Sequence, residues 1–207
     1  MARNTRVLGK AGGGLDNASW AANASVARVG QAGEVKTAKV LEGYAEPEAG
    51  VTVLHDLMLP SNNGMKANID HVVVSGSTVH LIDAKVWKPA FYWTVRGKTR
   101  RGLEAFPHAD KKTMSMAVDM ISGYLKARGL DATITTPLIV VWPSSSRRRL
   151  RTWALRVPGA RAMTGPAFEA WARSNLSSTL VLGLGTKRRT ADPEIVSALA
   201  TLLTSKG

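Results

Sequence analysis

The chain has 207 residues, 44% of them hydrophobic, no cysteine, and a net charge of +13 from 28 Lys and Arg against 15 Asp and Glu. That length suits one domain with a substantial core. The absence of cysteine excludes a disulfide framework and any thiolate metal site, and no stretch has the length and apolarity of a membrane span.

Residues 1–17 are rich in Gly, Lys and Arg and read as a flexible basic arm. They lack the apolar run of a signal peptide, so a cytoplasmic protein is expected, and the glycosylation patterns at Asn17 and Asn23 then mean little. From about Ala18 to Leu41 the mix of Ala, Val, Glu and Lys predicts a helix, interrupted by Gly30 and Gly33 and stopped at Gly43. "VTVLHDLML" (51–59) alternates and is rich in β-formers, hence a strand. "NIDHVVVS" (68–75) and "TVHLIDAKV" (78–86) follow as two more strands, joined by Gly76-Ser77, a two-residue hairpin signal. "FYWTV" (91–95) is a further strand that runs into the basic turn "RGKTRRG" (96–102).

After Pro107 and His108, the positions Met114, Ala117, Val118, Ile121 and Leu125 keep helical spacing. "PLIVVWP" (137–143) fits a buried strand, "SSSRRRLR" (144–151) a basic loop, and "TWALRV" (152–157) another strand. "GPAFEAWARSN" (165–175) opens with proline in its first turn and reads as a short helix. "TLVLGLG" (179–185) is a last strand candidate, and the final helix begins on Asp192, Pro193 and Glu194. The layout is α/β (α+β) within one domain, 18–207.

The hairpin holds the chemistry. If Gly76-Ser77 is a two-residue loop, Val74 faces Val79, Val72 faces Leu81, and Asp70 faces Asp83 on the same face; Lys85 points to that face too. Like charges directly opposite are destabilising, and a fold tolerates them if one acid is protonated, if a cation bridges them, or if the strand ends are wet. A hard divalent cation such as Mg²⁺, with Mn²⁺ as a substitute, suits carboxylate oxygens. It would lower the pKa of a bound water for phosphodiester hydrolysis, while Lys85 orients that water or stabilises charge developing on phosphate. The plainer reading is a solvated strand end at Asp83 and Lys85, with Asp70 capping a turn.

Gly30, Glu34, Ala38 and Leu41 recur at helical spacing, which puts Glu34 on a stripe of small and apolar residues. A carboxylate there is uncommon without a partner, unless it lies at the helix periphery and is simply solvated. His55, His71, His80 and His108 show no metal-ligand spacing, and His71 and His80 fall on the face opposite the acids.

"GQAGE" (30–34), "HDLMLP" (55–60), "NIDHVVVS" (68–75) and "LIDAKVW" (81–87) together resemble the nuclease-related domain, a branch of the PD-(D/E)XK restriction-endonuclease-like superfamily. The resemblance covers about residues 26–125. It implies a restriction-endonuclease-like mixed sheet flanked by helices and Mg²⁺-dependent cleavage of DNA, with RNA not excluded. Carried over by position, Glu34 is the helix acid, Asp70 the central metal ligand, Asp83 the second acid and Lys85 the catalytic lysine, with Ala84 offering its carbonyl to the metal. The pattern departs where members often carry a glutamine shortly after a proline. Here Pro107 is followed by "HADKKTM", and Lys111 or Lys112 would have to substitute by contacting phosphate. No P-loop is present, so a helicase or other motor would have to come from a partner.

A net charge of this sign attracts polyanions, nucleic acid first among them. The two basic clusters supply the expected phosphate contacts: Arg96, Lys98, Arg100 and Arg101 in one, Arg147, Arg148 and Arg149 in the other. Trp87 is expected to pack, whereas Tyr92 and Trp93 either stack on a base or pack. Two rivals remain: a DNA-binding module that does not cut, and a basic structural protein with a chance motif.

Overall fold

The computed structural model describes residues 6–13, 24–45, 50–60, 67–110, 112–146, 149–177 and 190–204. Eleven strands and four helices lie within these. The strands are β1 (Val7–Leu8), β2 (Val51–Met58), β3 (Asn68–Ser75), β4 (Thr78–Trp87), β5 (Phe91–Val95), β6 (Lys98–Arg101), β7 (Glu104–Ala105), β8 (Thr133–Ile134), β9 (Leu138–Pro143), β10 (Arg151–Ala154) and β11 (Arg161–Thr164). The helices are α1 (Ala24–Glu42), α2 (Thr113–Lys126), α3 (Gly165–Leu176) and α4 (Pro193–Ala200).

A mixed sheet runs β1-β2-β3-β4-β9-β11, with β8 alongside β4. The meander β2-β3-β4 is antiparallel, whereas β1 on β2, β9 on β4 and β11 on β9 are parallel. Strand alternation divides its side chains between two cores. Val72, Val74, Val79, Leu81 and Val141 pack with Met114, Ala117, Ile121 and Leu125 of α2 and Ile195 and Leu199 of α4. Val53, Val73, Ile82 and Val140 pack with Leu41 of α1 and Phe168, Ala172 and Leu176 of α3. The result is helix, sheet, helix: the α+β, restriction-endonuclease-like core expected, with both sheet faces covered.

Most predicted elements fall where periodicity placed them, and the differences have physical reasons. Gly30 and Gly33 do not interrupt α1; glycine weakens a helix, and at Gly33 it lets the helix come close to Val86. Val7–Leu8, inside the stretch read as an arm, pair with Val53 and Leu54 and extend the sheet by one strand. The basic turn after β5 is largely a strand, β6. Arg96 (φ +47) and Gly97 (φ +72) alone make the reversal, and two left-handed residues are what a tight two-residue hairpin needs. β5 and β6 belong to a second, four-stranded sheet, β10-β5-β6-β7. The last helix begins as read, with the Asp192 carboxylate accepting from the N–H groups of Glu194 and Ile195. The strand candidate at 179–185 lies outside the described residues. No helix among those described is long and apolar enough to cross a membrane.

Candidate active site

The hairpin register is the expected one for five pairs: Ser75 opposite Thr78, Val74 opposite Val79, Val73 opposite His80, Val72 opposite Leu81, and His71 opposite Ile82. It stops before Asp70 and Asp83. The Asp70 carboxylate instead accepts the backbone N–H of Ala84 at its Oδ2, at 2.7 Å, while β4 continues alone with β9 from Ile82 to Trp87. The two acids are thus not a cross-strand pair; they flank a fork in the sheet.

The fork comes with a slip in alternation. Ile69 packs in the same core as Val72, and Leu57 in the same core as Leu54, each three residues away. Strict alternation requires an even step. The slip in β2 falls at Asp56, whose φ is +58, rare for any residue but glycine. Asp70 therefore leaves the face of Val72 and Val74 and turns toward α1. It is 8% exposed.

Glu34 is brought to this fork by close packing of α1. A Cβ on Gly33 would lie 2.6 Å from Val86 Cγ2 of β4, so only glycine lets the helix come this near. Thr37, one turn on, donates to the Gly33 carbonyl at 3.0 Å and accepts from Trp142 Nε1 of β9 at 2.8 Å. The Glu34 carboxylate accepts the Gly12 N–H from the segment after β1.

The electrostatics follow from burial of several acids together. Burial pushes Glu34 up to about 7; Lys85 opposes this, while Asp56 and Asp83 reinforce it. Burial likewise raises Asp70 well above the usual carboxylate range, with the Asp83 and Glu34 charges adding and Lys85 and the Ala84 N–H opposing. Burial works against the Lys85 charge, but Asp83, Asp70 and Glu34 outweigh it and hold the ammonium above its ordinary pKa. Lys85 Nζ sits 2.7 Å from Asp83. The structure thus brings Glu34, Asp70, Asp83 and Lys85 within one another's fields.

The donor chemistry is that of a hard divalent cation: carboxylate oxygens whose mutual repulsion a cation relieves. Ala84 adds to it. In a strand the N–H and C=O of one residue point to the same edge, so the Ala84 carbonyl emerges on the side where its N–H meets Asp70. As they are arranged, no three Asp, Glu or His side chains among the described residues stand close enough together to enclose a metal ion.

Sequence reading missed Asp56. It is 2% exposed, bonded to Asn68 Nδ2 at 2.8 Å and to the Thr204 hydroxyl, and its charge reaches Glu34. Its positive φ has no sequence signature, and Thr204 is 148 residues away. A buried histidine pair was also not foreseen: His55 Nδ1 and His71 Nδ1 lie 2.8 Å apart, and burial lowers both pKa values. His71 does not lie on the face opposite the acids as expected, since the Glu34 backbone and the Lys85 charge both act on its ring.

The expected phosphate contacts are dispersed. Arg96 and Lys98 are exposed on the β5–β6 hairpin, Arg100 bonds the Leu103 carbonyl at 2.8 Å, and Arg101 is paired with Glu104. Lys112 and Arg149 are exposed, whereas Lys111, Arg147 and Arg148 lie outside the described residues. Trp87 packs as expected, against Tyr92 and Phe106, and Tyr92 is fully buried.

No curated protein and no solved structure gives a significant match. The model of the nuclease-related domain matches residues 29–134, which include Glu34, Asp70, Asp83 and Lys85. Over that half of its length the chain belongs to the nuclease-related domain family.

Proposed function

We propose that the chain is a Mg²⁺-dependent nuclease that hydrolyses DNA phosphodiester bonds at the β3–β4 fork. The observation that carries this reading is the convergence of three mutually repelling carboxylates and a lysine in one half-buried place. A fold bears such repulsion where a cation and a substrate phosphate use it.

In this reading Asp70, Asp83 and the Ala84 carbonyl would hold the ion, and Glu34 would complete the oxygen set. When bound, the ion supplies a Lewis acid and a water of lowered pKa. Lys85 presents its ammonium to the oxygen on which negative charge develops, and Asp83 orients it through their ion pair. The Gly12 N–H fixes the Glu34 carboxylate. Exposed Arg96, Lys98, Lys112 and Arg149 draw in the polyanion.

The Lys85–Asp83 pair favours a second reading, a DNA-binding module in which the lysine neutralises the acid permanently. Incubation with supercoiled plasmid and with linear single- and double-stranded DNA, in Mg²⁺ or in EDTA and beside Asp83→Ala, separates the two. Metal-dependent cutting that disappears in the variant establishes the nuclease. Tight binding without cutting in Mg²⁺ or Mn²⁺ establishes the binding module.

A further inference from the structure

The second sheet carries an aromatic and basic face whose rings the catalytic fork does not use. Tyr92 of β5 is buried in the core, so Phe91, Trp93 and Val95 stand on the outer side. Residues directly opposite one another share a face, which adds Arg100 beside Trp93 and Lys98 beside Val95. Trp153 of β10 is 74% exposed, yet its ring stacks on Phe91 with centroids 5.1 Å apart and planes at 30°. An exposed tryptophan held flat against a second ring is an aromatic surface fixed in place and left in water.

Next to Trp153 an open groove of about 620 Å³ runs between β10 and β11. Among the described residues its lining includes Arg151, Arg156 and Arg161 and no acid. All three arginines are exposed. The one acid in the strands of the second sheet, Glu104, is already held by Arg101.

We propose that this groove and the Phe91–Trp153 stack bind an unpaired nucleic-acid strand and lead it to the fork. The inference rests on the nuclease reading and adds the form of the substrate. Cations without acids select a polyanion. Aromatic faces left open select bases with a free π-face, and a duplex hides those faces within its own stack. The path is short: Phe91 is six positions beyond Lys85, and a chain segment of that length spans at most about 20 Å.

The test is equilibrium binding in EDTA, where nothing is cut. Its probes are a labelled oligothymidylate, the matching oligouridylate and a DNA duplex of equal length. The expected result is tighter binding of the unpaired strand than of the duplex, with quenching of tryptophan fluorescence. Trp153→Ala then weakens the unpaired strand about tenfold or more, Trp153→Phe restores most of it, and the duplex hardly changes. Paired Arg151→Gln and Arg161→Gln substitutions flatten the salt dependence. The two oligonucleotides show whether the sugar matters.

Trp153→Ala binding the unpaired strand as tightly as wild type overturns the proposal, as does preference for the duplex. It is also overturned if Trp153→Ala abolishes self-association and leaves strand binding unchanged, since the face is then a contact between copies. Strand binding that needs Trp153 in a protein that never cuts sinks the nuclease reading alone. Cutting that is indifferent to Trp153 sinks the track alone.

Discussion

The Ala84 backbone N–H donates to Asp70 Oδ2 across 2.7 Å, just past the last rung that joins β3 to β4, Ile82 opposite His71. A side chain thus replaces a ladder partner, and the sheet opens without leaving that buried N–H unpaired.

Substitutions at Asp70 separate this structural bond from the chemistry. Asp70→Asn keeps an acceptor for Ala84 and removes a buried charge that Asp83 and Glu34 repel. In EDTA it should be at least as stable as wild type, while nucleic-acid cleavage falls to background. Asp70→Ala removes the same charge but strands the N–H, at a cost of about 1–3 kcal/mol relative to Asp70→Asn. Urea unfolding of the two variants reads the difference. Equal midpoints and slopes would show that the bond does not matter.

Gly33 sets how near α1 comes to β4. An added methyl meets Val86 Cγ2 at 2.6 Å, and overpacking of this kind typically costs about 1–3 kcal/mol. Greater helix propensity offsets part of that, by roughly 0.5–1 kcal/mol. Gly33→Ala should therefore lose more activity than stability, because Glu34 is the next residue and moves with the helix. Val86→Ala makes room, so the double variant should recover cleavage that Gly33→Ala loses. A double-mutant cycle on cleavage rate and on urea midpoint measures the coupling; strict additivity would mean that the helix is not held off by this contact.

The sequence was informative where local pattern decides structure and silent where distant segments do. Alternation and the Gly76-Ser77 turn were enough for five rungs of the hairpin. They led wrongly to an Asp70–Asp83 rung, because the pattern carries no sign of the slip at Asp56 and Ile69. Glu34 was legible from helical spacing, since a carboxylate on an apolar stripe stands out against its neighbours. Asp56 was not, for its neighbours are a strand partner and the far end of the chain. Arg101 lay in a conspicuous basic run, yet Glu104 three residues on neutralises it. Trp153 drew no notice, because exposure and stacking on Phe91 are tertiary facts.

Lys85 competes with any cation for Asp83, to which it is bonded at 2.7 Å. Lys85→Ala should bind Mg²⁺ as well as wild type or better, since the competing charge is gone. Cleavage should nevertheless fall by about 100-fold or more, as expected for loss of a donor aimed at developing charge. Calorimetric titration with Mg²⁺ alongside cleavage rates tests both halves. Weaker Mg²⁺ binding in Lys85→Ala would recast the lysine as a support for the metal site.

Glu34 makes stability depend on pH in a direction opposite to that of an ordinary salt-bridged acid. Its pKa rises from 4.5 to about 7 on folding, chiefly through burial. Between those values the folded state binds more protons than the unfolded one, so stability falls as pH rises. Glu34→Gln cannot lose a proton and keeps an acceptor for the Gly12 N–H. In EDTA it should match wild type near pH 4 and pull ahead through pH 7, by up to about 3 kcal/mol once Glu34 is fully ionised. Asp70 adds a fall of the same sign, smaller in Glu34→Gln because the Glu34 charge that helps raise Asp70 is gone, so it widens the difference in the same direction. Chemical denaturation of the pair across this range supplies the curves. A constant offset between them would place the Glu34 carboxylate in water and remove it from the fork.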